Sequence, residues 1–163
     1  MDLVTPAHGT SDAPVHVPRF NAAAAPVRYL EYLLDEPQPA AVVDGGGILV
    51  NVPSPARFAV HKLLALQDRS PAFHTKATKD VAQAAHVLDA LEELRPGDVA
   101  LAWRDASARG QRWRRALSKG RTLLARLHPE AFRRVERARY AADRVPRRAE
   151  EARGGRRTPR CVR

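Results

Sequence analysis

Cysteine is almost missing from this 163-residue chain. Cys161, the third residue from the end, stands alone, so no intrachain disulfide can form and nothing points to an oxidising compartment. Aromatic residues are scarce at 6%, and a mean hydropathy of −0.42 leaves apolar surplus for one small core only. No apolar run reaches membrane-spanning length, and the N-terminus lacks the basic flank and hydrophobic segment of a signal peptide. The expectation is a cytoplasmic protein without a membrane partner. His74 and His86 lack Cys, His or carboxylate neighbours at metal-ligand spacing, which argues against a zinc site. Lysine is rare as well: Lys62, Lys76, Lys79 and Lys119 are the only four among 28 basic residues.

The charge that is present is unevenly placed. Residues 1–103 hold 8 Lys+Arg against 12 Asp+Glu, whereas residues 104–163 hold 20 against 6. Such a basic half can bind phosphate backbones through counterion release. Its first reading is nevertheless a solvated Arg-rich surface, because stacking aromatics hardly interleave with the arginines.

Periodicity and turn chemistry divide the chain into an α+β arrangement: a small β part over 1–52, a helical part over 53–145, and a disordered Arg-rich tail over 146–163 where burial cannot repay ordering entropy. Ala7 to Ala25 reads as a loop with one edge strand at Val15–Val17, and Pro26 as the opening of a helix carrying Val27, Leu30, Leu33 and Leu34. Two β-prone runs, 40–43 and 48–52, flank Asp44-Gly45-Gly46-Gly47 and predict a hairpin. A Walker-type phosphate loop would need Lys-Ser or Lys-Thr after the glycines, and Ile48 opens a strand instead. Helices are predicted over 55–68 and 77–94, then after Pro96-Gly97-Asp98, in short pieces at 113–117 and 123–127, and over 129–142.

The segment from Asn51 to Asp80, NVPSPARFAVHKLLALQDRSPAFHTKATKD, carries most of the functional information. Ser54-Pro55 supplies an N-cap hydroxyl and a proline for the first helical position. The helix that follows should turn Phe58, Val60, Leu63, Leu64 and Leu66 to the core and leave His61, Lys62 and Arg69 near the surface or along a cleft. With Lys76, Lys79 and Asp80 at the start of the next helix, the basic groups form a cradle suited to a polyphosphate, since helix N-termini and ammonium groups both favour anions. The plainer readings are a solvated His61 and a helix-start charge pair at Lys79-Asp80.

Pro55 to Leu63, Arg69 and Lys79-Asp80, together with Ala25 to Leu33 and Asp2 to Pro6, resemble the later part of a bacterial family of nucleotidyltransferase-fold proteins related to the AbiEii-type toxins. The resemblance covers roughly the first two thirds of the chain. It implies catalytic roles for Asp2, Lys62 and Asp80, nucleotide binding by Arg57, His61, Lys62, Arg69 and Lys79, and a Mg2+ ion held in part by Asp2, with an NTP as substrate. Members of that fold also carry a Gly-Ser turn followed by paired carboxylates. This sequence has no Gly-Ser dipeptide and no Asp-x-Asp, and Gln83 stands where a second Asp commonly follows Asp80. A lone carboxylate holds magnesium poorly. The expectation is therefore a truncated nucleotidyltransferase, or a degenerate relative, inactive as this chain. A non-catalytic protein that binds nucleic acid or a partner through its Arg-rich C-terminal half is the competing reading. If Lys62 lines a nucleotide pocket, Lys62→Ala is expected to weaken ATP or GTP binding about tenfold and to leave the melting temperature unchanged.

Overall fold

The computed structural model describes residues 3–7, 9, 11, 13–43, 45–66 and 74–144, without the side chains of 74–76, 96 and 141–144. Among them three short strands build one sheet. β1 (Val4–Pro6) runs parallel to β3 (Ala22–Val27), and β2 (Val15–Val17) runs antiparallel to β3 on its other side. Pro26 does not open a helix. It lies inside β3 opposite Thr5, where a proline holds its own φ and pushes the preceding residue toward extended backbone. The helix with Leu30 and Leu33 starts later, as α1 (Leu30–Leu34).

β4 (Gln38–Val42) and β5 (Ile48–Val52) form the predicted hairpin, in register from Gln38↔Val52 to Val42↔Ile48. Gly45 and Gly47 take positive φ in the turn, which glycine does without a Cβ clash. The predicted edge strand at 15–17 is present as β2, but the loop predicted up to Ala25 ends early because β3 claims Ala22 onward.

Five long helices follow among the described residues: α2 (Pro55–Ala65), α3 (His74–Leu94), α4 (Pro96–Ala108), α5 (Gln111–Leu127) and α6 (Pro129–Arg144). The mixed α+β architecture expected from the sequence is thus present. Ser54 caps α2 without a side-chain hydrogen bond; its carbonyl accepts from the Phe58 N–H at 2.8 Å, the first bond of the helix. α3 begins three residues before the expected 77, so Asp80 sits in its second turn rather than at its start. α5 is one helix where two short pieces were predicted. Gly120, which lies between the two predicted pieces, is buried where α5 crosses α2.

α2 is the central helix of the bundle, packed against α3, α4 and α5. Val60, Leu63 and Leu64 of α2 are fully buried with Val81, Ala84 and Leu88 of α3 and Leu124 of α5. Each such Leu or Val side chain contributes about 1.5–3 kcal/mol relative to exposure. Leu66 packs at the margin of this core, and Phe58, expected inside it, is half-buried.

Candidate functional site

Two turns of α2 present their polar side chains on two faces. Phe58 and Lys62, four residues apart, look toward α3; Arg57 and His61, also four apart, look toward α1 and the end of β3. On the first face the Lys62 Nζ donates to Asp80 Oδ1 at 2.9 Å, with the lysine side chain 22% exposed and the aspartate 6%. The ammonium also lies 5.1 Å from the centre of the Phe58 ring, within cation–π range. The packing of α2 on α3 carries this geometry, because the apolar stripes that meet leave the two charges facing each other at the edge of the core. Asp80 is therefore a buried partner of Lys62.

On the second face His61 is buried, not superficial, and its Nε2 stands 3.0 Å from the Arg28 carbonyl oxygen. A carbonyl can only accept, so Nε2 carries the proton. This bond ties α2 to the chain leaving β3. One turn earlier, the Arg57 guanidinium donates from Nη1 to Asp105 Oδ2 at 2.6 Å and from Nη2 to Glu36 Oε2 at 3.2 Å, and stacks 4.9 Å from the Tyr32 ring centre. Arg109 completes the arrangement. It donates to Asp105 at 3.1 Å and to Asp35 at 2.7 Å and lies over the rings of Tyr32 and Trp113. Tyr32 is fully buried, donates its hydroxyl to the Ala102 carbonyl at 2.9 Å, and meets Trp113 edge to face.

The electrostatics follow from these contacts. Burial alone would raise the Asp105 carboxyl, but hydrogen bonds and charge from Arg109 and Arg57 outweigh it and hold the group below the usual carboxylate range. Burial pushes the Tyr32 phenol far above its usual value. For both arginines burial favours the neutral form, and the carboxylates of Asp105, Glu36 and Asp35 reverse that effect. A group with a depressed folded pKa contributes stability that is present above its ordinary value, 3.8 for Asp105, and is lost as pH falls through the folded value. Wild type should accordingly lose its stability advantage over Asp105→Asn as urea midpoints are followed from neutral to strongly acidic pH. A gap between the two proteins that stays constant across that titration would contradict the network.

Beside Arg57 opens a cleft of about 880 Å³, lined among others by Glu36, Ser54, Arg95, Asp98 and Asp105. The first turns of α2 and α4 both border it. Lys79 is exposed on α3, and the lysine that bonds Asp80 is Lys62. Asp2 and Arg69 lie outside the described residues, as does the expected disordered tail. Among the described residues no group of three or more His, Cys, Asp or Glu is arranged to hold a metal ion, so by themselves they do not fit a magnesium site. No helix of the described residues is long and apolar enough to cross a membrane.

Sequence reasoning named Arg57, His61, Lys62 and Asp80, and the structure joins two of them directly. It missed Tyr32, Asp35, Asp105 and Arg109. The four-residue spacing of Asp105 and Arg109 was the one local signal for that cluster; Arg57 and Asp105 are 48 positions apart, a pairing no local pattern reveals. No curated protein and no solved structure matches the chain. A family of known proteins does, described as nucleotidyltransferase, over residues 1–108. That span contains α2, the Lys62–Asp80 pair, Arg57 and Asp105, and most of the chain, which therefore belongs to the nucleotidyltransferase family.

Proposed function

We propose that this chain binds a nucleoside triphosphate for nucleotidyl transfer, in the manner of the AbiEii-type relatives it resembles, with Lys62 as the phosphate-gripping residue and Asp80 as the residue that positions it. The observation that supports this reading is the 2.9 Å bond between Lys62 and Asp80. Asp80 is nearly inaccessible and anchored in α3, so it fixes where the ammonium stands. Lys62 retains partial exposure and has three donors, of which Asp80 Oδ1 takes one. The remaining donors suit a phosphate oxygen, and a charge-assisted bond to it is among the stronger ones available to a side chain. Arg57 stands on the other face of α2, held by Asp105 and Glu36, and is assigned no part in this grip.

No Asp-x-Asp pattern occurs in the sequence. Isothermal calorimetry with ATP and GTP tests the grip. Lys62→Gln, which keeps a donor toward Asp80, should bind about tenfold more weakly than wild type, the worth of one charge-assisted hydrogen bond. Equal affinity in the two proteins, or no heat with wild type at millimolar nucleotide, would count against it. Transfer of label from an α-labelled NTP, lost in Asp2→Ala, would show that the chain has more of the machinery than proposed.

A further inference from the structure

α5 contains six Lys or Arg and no Asp or Glu in 17 residues. Four of the six, Arg112, Arg115, Lys119 and Arg126, recur at helical spacing and fall within one narrow arc of the helix. All four are exposed. None makes an ion pair among the described residues. The neighbouring helix behaves differently: on α6, Arg133 bonds Glu130, Arg134 bonds Asp89 and Glu92, Arg137 bonds Glu92, and Arg139 bonds Glu136. A surface that merely kept the protein solvated would pair or intersperse its charges in the same way on both helices. On α5 like charges instead stand three and four residues apart, an arrangement that disfavours the helix and that a bound anion would relieve.

We propose that this stripe of α5 is a docking track for the phosphate backbone of a double-stranded nucleic acid. At 1.5 Å per residue the stripe from Arg112 to Arg126 extends about 21 Å, which spans about six phosphates of one duplex strand. The opposite face of α5 decides the class of partner. Ala116, Leu117, Gly120 and Leu124 are buried and Leu123 and Leu127 pack on the core, so no apolar side chain is left to enter a lipid surface as an interfacial helix requires. Nor does the track offer an aromatic anchor of the kind that centres a protein interface. The nearby Trp113 is engaged edge-on with Tyr29 and Tyr32 and cannot stack on a base. The track therefore reads charge and spacing, without sequence preference.

This inference uses no residue of the Lys62–Asp80 site, and either can fail without the other. The test is fluorescence anisotropy of the full chain with a mixed-sequence 20-base-pair duplex over a salt series. Four phosphate contacts predict a plot of log affinity against log salt with a slope of about −3.6. Arg115→Glu with Lys119→Glu, checked for native circular dichroism, should weaken binding at least tenfold and flatten that slope. Arg133→Gln with Arg139→Gln removes charge from α6 instead and should change affinity less than twofold. Three results would overturn the proposal: equal loss in both double variants, unchanged binding by the α5 variant with complete loss on removing residues 146–163, or tighter binding to phosphatidylserine vesicles than to the duplex at one ionic strength.

Discussion

Lys62→Ala should lower the melting temperature by roughly 6–12 °C, which is about 3 kcal/mol for a chain of this size. Removing one partner of a buried ion pair costs about 3–5 kcal/mol because the other charge stays behind in a poorly solvated place. Asp80, 4% exposed, is in such a place. The partial exposure of Lys62 puts the expected loss at the lower end. The sequence alone suggested an unchanged melting temperature, since nothing in it signals that Asp80 is buried against α2. Replacing both partners, Lys62→Met with Asp80→Leu, should recover most of the loss, because matched apolar groups avoid the desolvation that the pair has to overcome. Thermal scans of the two variants check this, and a single variant that melts like wild type would mean that the pair contributes nothing to the packing of α2 on α3. For this reason the nucleotide-binding comparison rests on Lys62→Gln rather than on the truncation to alanine.

Gly120→Ala should destabilise the protein by about 2 kcal/mol even though alanine is the better helix former. A Cβ at position 120 would lie 2.4 Å from the Leu63 carbonyl oxygen and 2.9 Å from both the Leu63 carbonyl carbon and Cβ. These are mostly backbone atoms of the central helix, which cannot rotate aside as the end of a side chain would. The helices must separate. Overpacking of this kind costs typically about 1–3 kcal/mol or more, against about 1 kcal/mol gained in helix propensity. Gly97 provides the opposite case, as it lies in the first turn of α4 and an added Cβ would meet nothing within 4 Å. Gly97→Ala should therefore stabilise by up to about 1 kcal/mol. Urea midpoints moving in opposite directions for the two substitutions would support the close crossing of α2 and α5; equal shifts would contradict it.

These two sites show where sequence reading stops. The hairpin was legible because Gly45 to Gly47 separate two β-prone runs, and α2, α3 and α6 because their apolar residues recur at helical spacing. β3 was not legible. Its alanines have little strand preference, and pairing with both β1 and β2 decides its conformation. The continuity of α5 was hidden because Gly120, a poor helix former on its own, lies between the two apolar pieces, and its place at the crossing with α2 shows only in the packing. At the site, Lys62 and Asp80 could be named individually, but their contact depends on how two helices pack. The Tyr32, Arg57, Asp105 and Arg109 cluster joins residues across long stretches of chain, and only the four-residue spacing of Asp105 and Arg109 marks it locally. The basic half was visible as a charge excess. Only the pairing of the α6 arginines, set against the stripe on α5, separates a solvated face from a candidate track.

The central claim is that Lys62, held by Asp80, meets the phosphates of a nucleotide. With only four lysines in the sequence, the ammonium resonance of Lys62 can be assigned by substitution and followed by nitrogen-15 NMR during titration with ATP. A saturable shift of the Lys62 signal, larger than those of Lys76, Lys79 and Lys119 and lost in a folded Asp80→Asn variant, is the predicted result. A Lys62 signal that stays in place at millimolar ATP, or moves no more than that of exposed Lys119, would contradict the account.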